Sequence, residues 1–124
     1  MPISITIDSP EKLVIAKCRG DILENEFVNA FQKITSDPGY QATFNEIWDV
    51  RETTSMQLSF DNWQWQNNKT PQNNIREAIV IANEAQHQFA SNYAQVAVDT
   101  PLNVRIFNDY NEAMNWLTEG VEES

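Results

Sequence analysis

Ile3, Ile5 and Ile7 alternate with Ser4, Thr6 and Asp8, the period of two that a half-buried strand shows. Asp8-Ser9-Pro10-Glu11 carries turn chemistry, and Leu13–Cys18 returns as a second apolar run. The pattern predicts an antiparallel hairpin that ends at Gly20. The period then changes. Asp21-Ile22-Leu23-Glu24 has the form of a capping box, and the helix it predicts carries Leu23, Phe27, Ala30, Phe31 and Ile34 on one face. Asp37-Pro38-Gly39 stops that helix, because proline cannot continue the backbone bonds and glycine tolerates positive φ.

Phe44–Arg51 packs Ile47, Trp48 and Val50 into a short run and ends it on a charged pair, Asp49 and Arg51. Such a run suits a strand buried inside a sheet. Residues 52–58 read as a polar loop, and Ser59 as the N-cap of a helix bearing Phe60 and Trp63 inward. From Asn62 to Asn74 eight of 13 residues are Asn or Gln, with Pro71 near the end, so most of 67–74 reads as exposed loop. Ala78-Ile79-Val80-Ile81-Ala82 carries no charge, the pattern of a strand covered on both faces. Asn83, aided by Gln86, is expected to cap a helix with Ala85, Phe89, Tyr93 and Val96 or Ala97 inward. Thr100-Pro101 breaks it, and Val104, Ile106 and Phe107 make the last strand. Asp109-Tyr110-Asn111-Glu112 opens a final helix with Tyr110, Ala113, Met114 and Leu117 aligned, and Gly120 suits its C-terminus.

The order is therefore β-β-α-β-α-β-α-β-α. It predicts one α/β domain over residues 1–120 with an acidic tail at 121–124. The sheet is mixed and mostly parallel, with the first strand antiparallel at an edge.

Composition narrows the partners. A net charge of −10 and a pI near 4.3, with eight scattered basic residues, argue against nucleic acid. The longest apolar runs are a few residues, so no membrane span is expected. The start has no basic region followed by an apolar core, so no secretion signal is expected either. One cysteine, Cys18, cannot form an internal disulfide, which fits a reducing compartment and a cytoplasmic location.

Few residues offer chemistry. Asp49 and Arg51 share a face if both lie on a strand, and at its end they either bracket an anionic ligand or form a structural ion pair. Trp63 and Trp65 point roughly 200° apart on a helix, so both cannot be buried. Trp63 shares the inner face with Phe60, which leaves Trp65 to mark an interface or a homo-oligomer contact. His87 falls off the inner stripe of its helix, and neither His-x-x-x-His nor Cys-x-x-Cys spacing occurs, so no metal and no cofactor are expected. Cys18 reads as a buried inert thiol. The glycines stand at 20, 39 and 120, which excludes glycine-rich phosphate loops and the Gly-x-Ser-x-Gly elbow. The expectation is that the protein is not an enzyme.

Three stretches together carry a resemblance: the hairpin from Ile3 to Gly20 leading into a helix, Trp48-Asp49-Val50-Arg51 ending the central strand, and Arg105-Ile106-Phe107 followed by a helix with Ala113 and Trp116-Leu117. In this order they resemble the SpoIIAA-like (STAS-related) domains, small bacterial α/β proteins grouped with the lipid-binding SEC14 fold. The resemblance covers nearly the whole chain. It implies a sheet of four or five strands with helices mainly on one side, and roles in binding: antagonism of anti-sigma factors, regulation of partners, or sensing of a small or lipid-like ligand. In phosphorylated members an Asp-Ser pair followed by Gly opens the helix after the central strand. Here that place reads Arg51-Glu52-Thr53-Thr54-Ser55-Met56, so Thr54 or Ser55 would be the phosphoacceptor, without the Asp-Ser-Gly arrangement.

The reading that follows is a non-enzymatic binding or regulatory module contacting a protein partner near the 51–60 loop and the next helix, through Asp49, Arg51, Trp63 and Trp65. The alternative is a carrier or sensor of a small apolar or lipid-like ligand, with Trp48, Trp63 or Trp65 lining the pocket.

Overall fold

The computed structural model describes residues 2–41, 43–58, 75–97 and 102–122, with side chains to Thr118. Its elements run β1 (Ile3–Asp8), β2 (Leu13–Ile22), α1 (Glu24–Ser36), β3 (Asn45–Met56), β4 (Ile75–Val80), α2 (Glu84–Val96), β5 (Leu102–Phe107) and α3 (Tyr110–Glu122). The strands form one five-stranded sheet in the order β1-β2-β3-β4-β5. β1 pairs antiparallel with β2 and every later pairing is parallel, as the sequence pattern predicts. The helix expected from Ser59, with Trp63 and Trp65, lies outside the described residues.

Strand alternation divides the apolar residues between two faces. Val14, Ala16, Cys18, Trp48, Val50 and Ile79 point to one face and are packed by Phe27, Ala30, Phe31 and Ile34 of α1 and by Ala90 and Tyr93 of α2. Leu13, Ile47, Ala78 and Val80 point to the other, under Ala113 and Leu117 of α3. Ile47 and Ala78 face each other in register and are fully buried. Removing a side chain the size of Ile47 from water stabilises by about 2–3 kcal/mol.

Several local expectations are corrected. β2 does not end at Gly20. It continues through Asp21 to Ile22, and β3 continues beside it from Glu52 to Met56 where a loop was expected. Polar residues form strand here because each supplies the other's ladder, a tertiary effect that single-strand polarity hides. Gly20 adopts φ +68° at an irregularity in the register, which lets the pair bend and run on. The N-cap of α1 is consequently Leu23, 45% exposed and not on the inner face. Leucine has no acceptor, so the cap is a half-box in which the Leu23 amide donates to Glu26 Oε1 at 2.9 Å. On α2 Tyr93 and the C-cap Ala97 are buried as expected and Phe89 packs half-buried on the core, but Gln86 and Ala90 are buried too and Ala85 is exposed. α3 passes through Gly120 and ends at Glu122. Asn83 and Asp109 cap their helices as expected, accepting from the amides of Gln86 and Glu112.

A Cβ built at Gly20 meets nothing within 4 Å, so only backbone strain opposes a side chain there. Gly20→Ala is expected to lower stability by about 1 kcal/mol in urea denaturation, and Gly20→Asn by less. Equal stability of Gly20→Ala and the parent would show that this bend relaxes freely.

Candidate functional site

The end of β3 is the natural place to begin. Asp49 and Arg51 follow Ile47 on the α3 face by strand alternation. The Asp49 side chain is 6% exposed and that of Arg51 40%. Arg51 Nε donates to Asp49 Oδ1 at 2.9 Å and Nη2 to Oδ2 at 2.8 Å, a bidentate fork, and the Arg51 amide donates to the same carboxylate at 3.2 Å. The guanidinium carbon lies 5.6 Å from the ring centroid of Tyr110, in the first turn of α3. Burial pushes the Asp49 carboxyl up. The bonds and charge of Arg51, with Lys17 adding, more than offset this and hold it below the usual carboxylate range. One edge of the Arg51 guanidinium, its Nε and Nη2 donors, is thus spent on Asp49. This geometry favours the ion pair among the two roles open to Asp49 and Arg51.

Beyond Asp49 the β2–β3 pair extends past the end of β4, whose register with β3 stops at Asp49↔Val80. Lys17 and Arg19 of β2 meet Glu52 of β3, with Nζ to Oε2 at 3.0 Å and Nε to Oε1 at 3.5 Å. Asp21 accepts from Thr54 Oγ1 at 2.6 Å and from Ser55 Oγ at 2.9 Å, which lowers its pKa. Thr54 and Ser55 therefore sit on a strand with their hydroxyls on an acid, not at a helix N-terminus. A phosphate on either would bring a second negative group against Asp21.

Among the described residues one side chain caps backbone carbonyls along the edge of this extension that faces away from β2. Gln86, buried at the start of α2, donates through Nε2 to the carbonyls of Arg51 (3.2 Å) and Thr53 (3.1 Å) and accepts from the Ala82 amide at 2.7 Å. Sequence reasoning saw Gln86 only as a capping aid. Its wider role follows from the extension of β3, which the pattern did not show.

The other face holds a small aromatic cavity of about 30 Å³, lined by Phe27, Phe31, Trp48, Leu58, Phe89 and neighbouring residues. Trp48 lines this cavity; Trp63, Trp65 and the 67–74 stretch, which the alternative reading also set around its pocket, lie outside the described residues. The Trp48 ring packs at 5.3 Å from Phe31 and 6.3 Å from Phe27, and Phe27 stacks on Phe89 at 5.9 Å. Glu46 and Glu77 are both buried on this face, directly across in register. Trp48 Nε1 donates to Glu46 Oε1 at 2.9 Å, and the Tyr93 hydroxyl donates to Glu77 Oε1 at 2.5 Å. Burial, with the charge of Glu77 second, pushes the nearby Tyr40 hydroxyl up to about 12. Neither acid stands out from the hydrophobic pattern of its strand. The available signal was an acid at an inward position of each apolar strand run.

Among the remaining candidates, His87 is exposed on α2, with Ser91 Oγ 3.5 Å from its Nδ1, too long for a working proton relay. Among the described residues no His, Cys, Asp and Glu group could hold a metal ion. Cys18 is buried, and burial, then the charge of Asp49, pushes its thiol up to about 12.

A mixed five-stranded sheet with α1 and α2 on one face and α3 on the other is the SpoIIAA-like fold. A solved structure shows the likeness directly: an uncharacterized protein of the DUF3478 family with a SpoIIAA-like fold, from Shewanella loihica PV-4. It superposes with a TM-score of 0.63 at 17% identity, over 93% of this chain and 91% of that one. No family model matches the chain, and no curated protein matches it.

Two predictions follow from these groups. Arg51→Ala takes both guanidinium donors from a buried carboxylate, leaving it the backbone amide at position 51, and is expected to lower stability at pH 7 by about 1–2 kcal/mol. The Asp49 carboxyl lies below its unfolded value, so this contribution is present above about pH 4 and is lost as pH falls through the folded value. Denaturation at pH 7 and pH 3 checks it: the difference between parent and variant should shrink at the lower pH. Cys18 is expected to resist a thiol reagent in the folded protein and to react at the rate of global unfolding. Prompt labelling in native buffer would contradict its burial.

Proposed function

We propose that this protein is a non-enzymatic binding module that meets a protein partner with the charged extension of the β2–β3 pair. The observation that carries the reading is the placement of Arg51, Glu52, Thr54 and Ser55. All four are exposed on strand that runs beyond β4, on a backbone whose carbonyls Gln86 caps. A surface of this kind is rigid at its base and polar at its contact atoms, which suits recognition between proteins. Strand, not loop, carries Arg51; of the other residues expected to make contact, Asp49 is buried and Trp63 and Trp65 lie outside the described residues. The SpoIIAA-like fold supports the reading through the resemblance drawn above, whose implied roles include the regulation of protein partners.

The aromatic cavity favours a second reading, a sensor of a small apolar ligand. Its size weighs against it: about 30 Å³ accommodates water-sized molecules, so a lipid-like ligand requires Phe27, Phe31 or Phe89 to move.

Photo-crosslinking in the native cell distinguishes these. A photoreactive residue at Glu52 is expected to give discrete protein adducts, and the same residue at Gln88, exposed on α2, none. Adducts of equal yield at both positions, or none at position 52, would remove the extension as the contact surface. Bound apolar ligand in native mass spectrometry would move the function to the cavity.

A further inference from the structure

β1 is an edge strand, and its outward side is well defined. The Arg19 amide donates to the Pro2 carbonyl at 2.8 Å, and the β1–β2 register continues from that pair. Hydrogen-bonded pairs of an antiparallel ladder alternate. Ser4, Thr6 and Asp8 therefore bond inward to β2, and the N–H and C=O groups of Ile3, Ile5 and Ile7 point away from the sheet. Beside this edge, on the α1 face, lies a groove of about 240 Å³ lined by Pro2, Ile3, Ile5, Glu26, Ala30 and Lys33, with Asn29 at its rim. Glu26, Asn29, Ala30 and Lys33 form one stripe of α1.

We infer that this edge and groove are the seat of a second copy of the chain, paired antiparallel through β1 about a two-fold axis near Ile5. The stripe is complementary to itself under that operation. Its midpoint lies between Asn29 and Ala30, so Glu26 meets Lys33 of the second copy and the small Ala30 meets Asn29. Ser9 Oγ donates to the Gly39 carbonyl, which places the C-terminal end of α1 by the β1–β2 turn. Lys33 then lies toward Ile7 and Glu26 toward Ile3, the ends that a two-fold axis at Ile5 superposes. Among the described residues Lys33 makes no salt bridge. α1 packs on both β1 and β2, so its axis stands about one strand spacing from the dimer axis. The two helices would run antiparallel at about 10 Å, the ordinary packing distance. A continuous ten-stranded sheet would result, and the backbone groups at Ile3, Ile5 and Ile7 would gain partners.

Sedimentation velocity on the full chain, from micromolar to near-millimolar protein, tests this with charge reversals. The parent is expected to dimerise. Lys33→Glu should raise the dimer dissociation constant by about tenfold, because two attractive rim contacts become repulsive. Adding Glu26→Lys should restore the dimer, since each pair re-forms with its signs exchanged. Loss of helix capping at Glu26 cannot produce such a rescue. In the parent, amide exchange at Ile3, Ile5 and Ile7 should slow as concentration rises, which reads the edge without any variant. A chain that stays monomeric over the range, or a dimer indifferent to both reversals, overturns the inference. In the monomeric case the groove is left to a strand from another protein.

Discussion

The structure depends on the unequal pairing of β3. On one side β2 accompanies it along nearly its whole length, from Asn45 to Met56. On the other β4 stops at the level of Asp49. Within the shared segment the strand is buried on both faces, with Trp48 on one and Ile47 on the other. Past it no third strand follows among the described residues, and the polar residues that take over are those able to satisfy an exposed ladder. Asp49 stands at the change of regime. It is the last buried position on its face, it is charged, and Arg51 with the Tyr110 ring closes over it.

That asymmetry explains which parts of the fold were legible in the sequence. Where hydrophobic period reports burial, the reading is accurate: Ile3, Ile5 and Ile7, the α1 stripe from Phe27 to Ile34, and Ala78 to Val80 all lie where their spacing puts them. Where pairing between distant segments decides the outcome, local pattern fails. Glu52 to Ser55 are as polar as a loop, and only Arg19 to Ile22 lying alongside makes them strand. Leu23 was placed inward because the helix start was set at Asp21. The extension of β2 moves the N-cap by two residues, from Asp21 to Leu23, and turns the leucine to solvent.

The site was legible in part for the same reason. Asp49 and Arg51 share a face because strand alternation demands it, and their bidentate contact needed nothing further from the fold. Asp21 with Thr54 and Ser55, or Gln86 with the carbonyls of Arg51 and Thr53, join residues more than thirty positions apart in sequence. Periodicity holds no information about them. Glu46 and Glu77 belong to the same class, since each looks like a stray acid until the register sets them side by side.

The coverage of the sheet has a consequence for biosynthesis. Both helices of the Trp48 face arise between strands, so that face is roofed as the sheet grows. Ala113 and Leu117 follow all five described strands in sequence, and until they leave the ribosome Ile47, Ala78 and Val80 lack the apolar cover these two residues give. A nascent chain that has released all five strands still carries one bare greasy surface, the kind of transient that chaperones engage. Cover of this face therefore waits on the synthesis of α3.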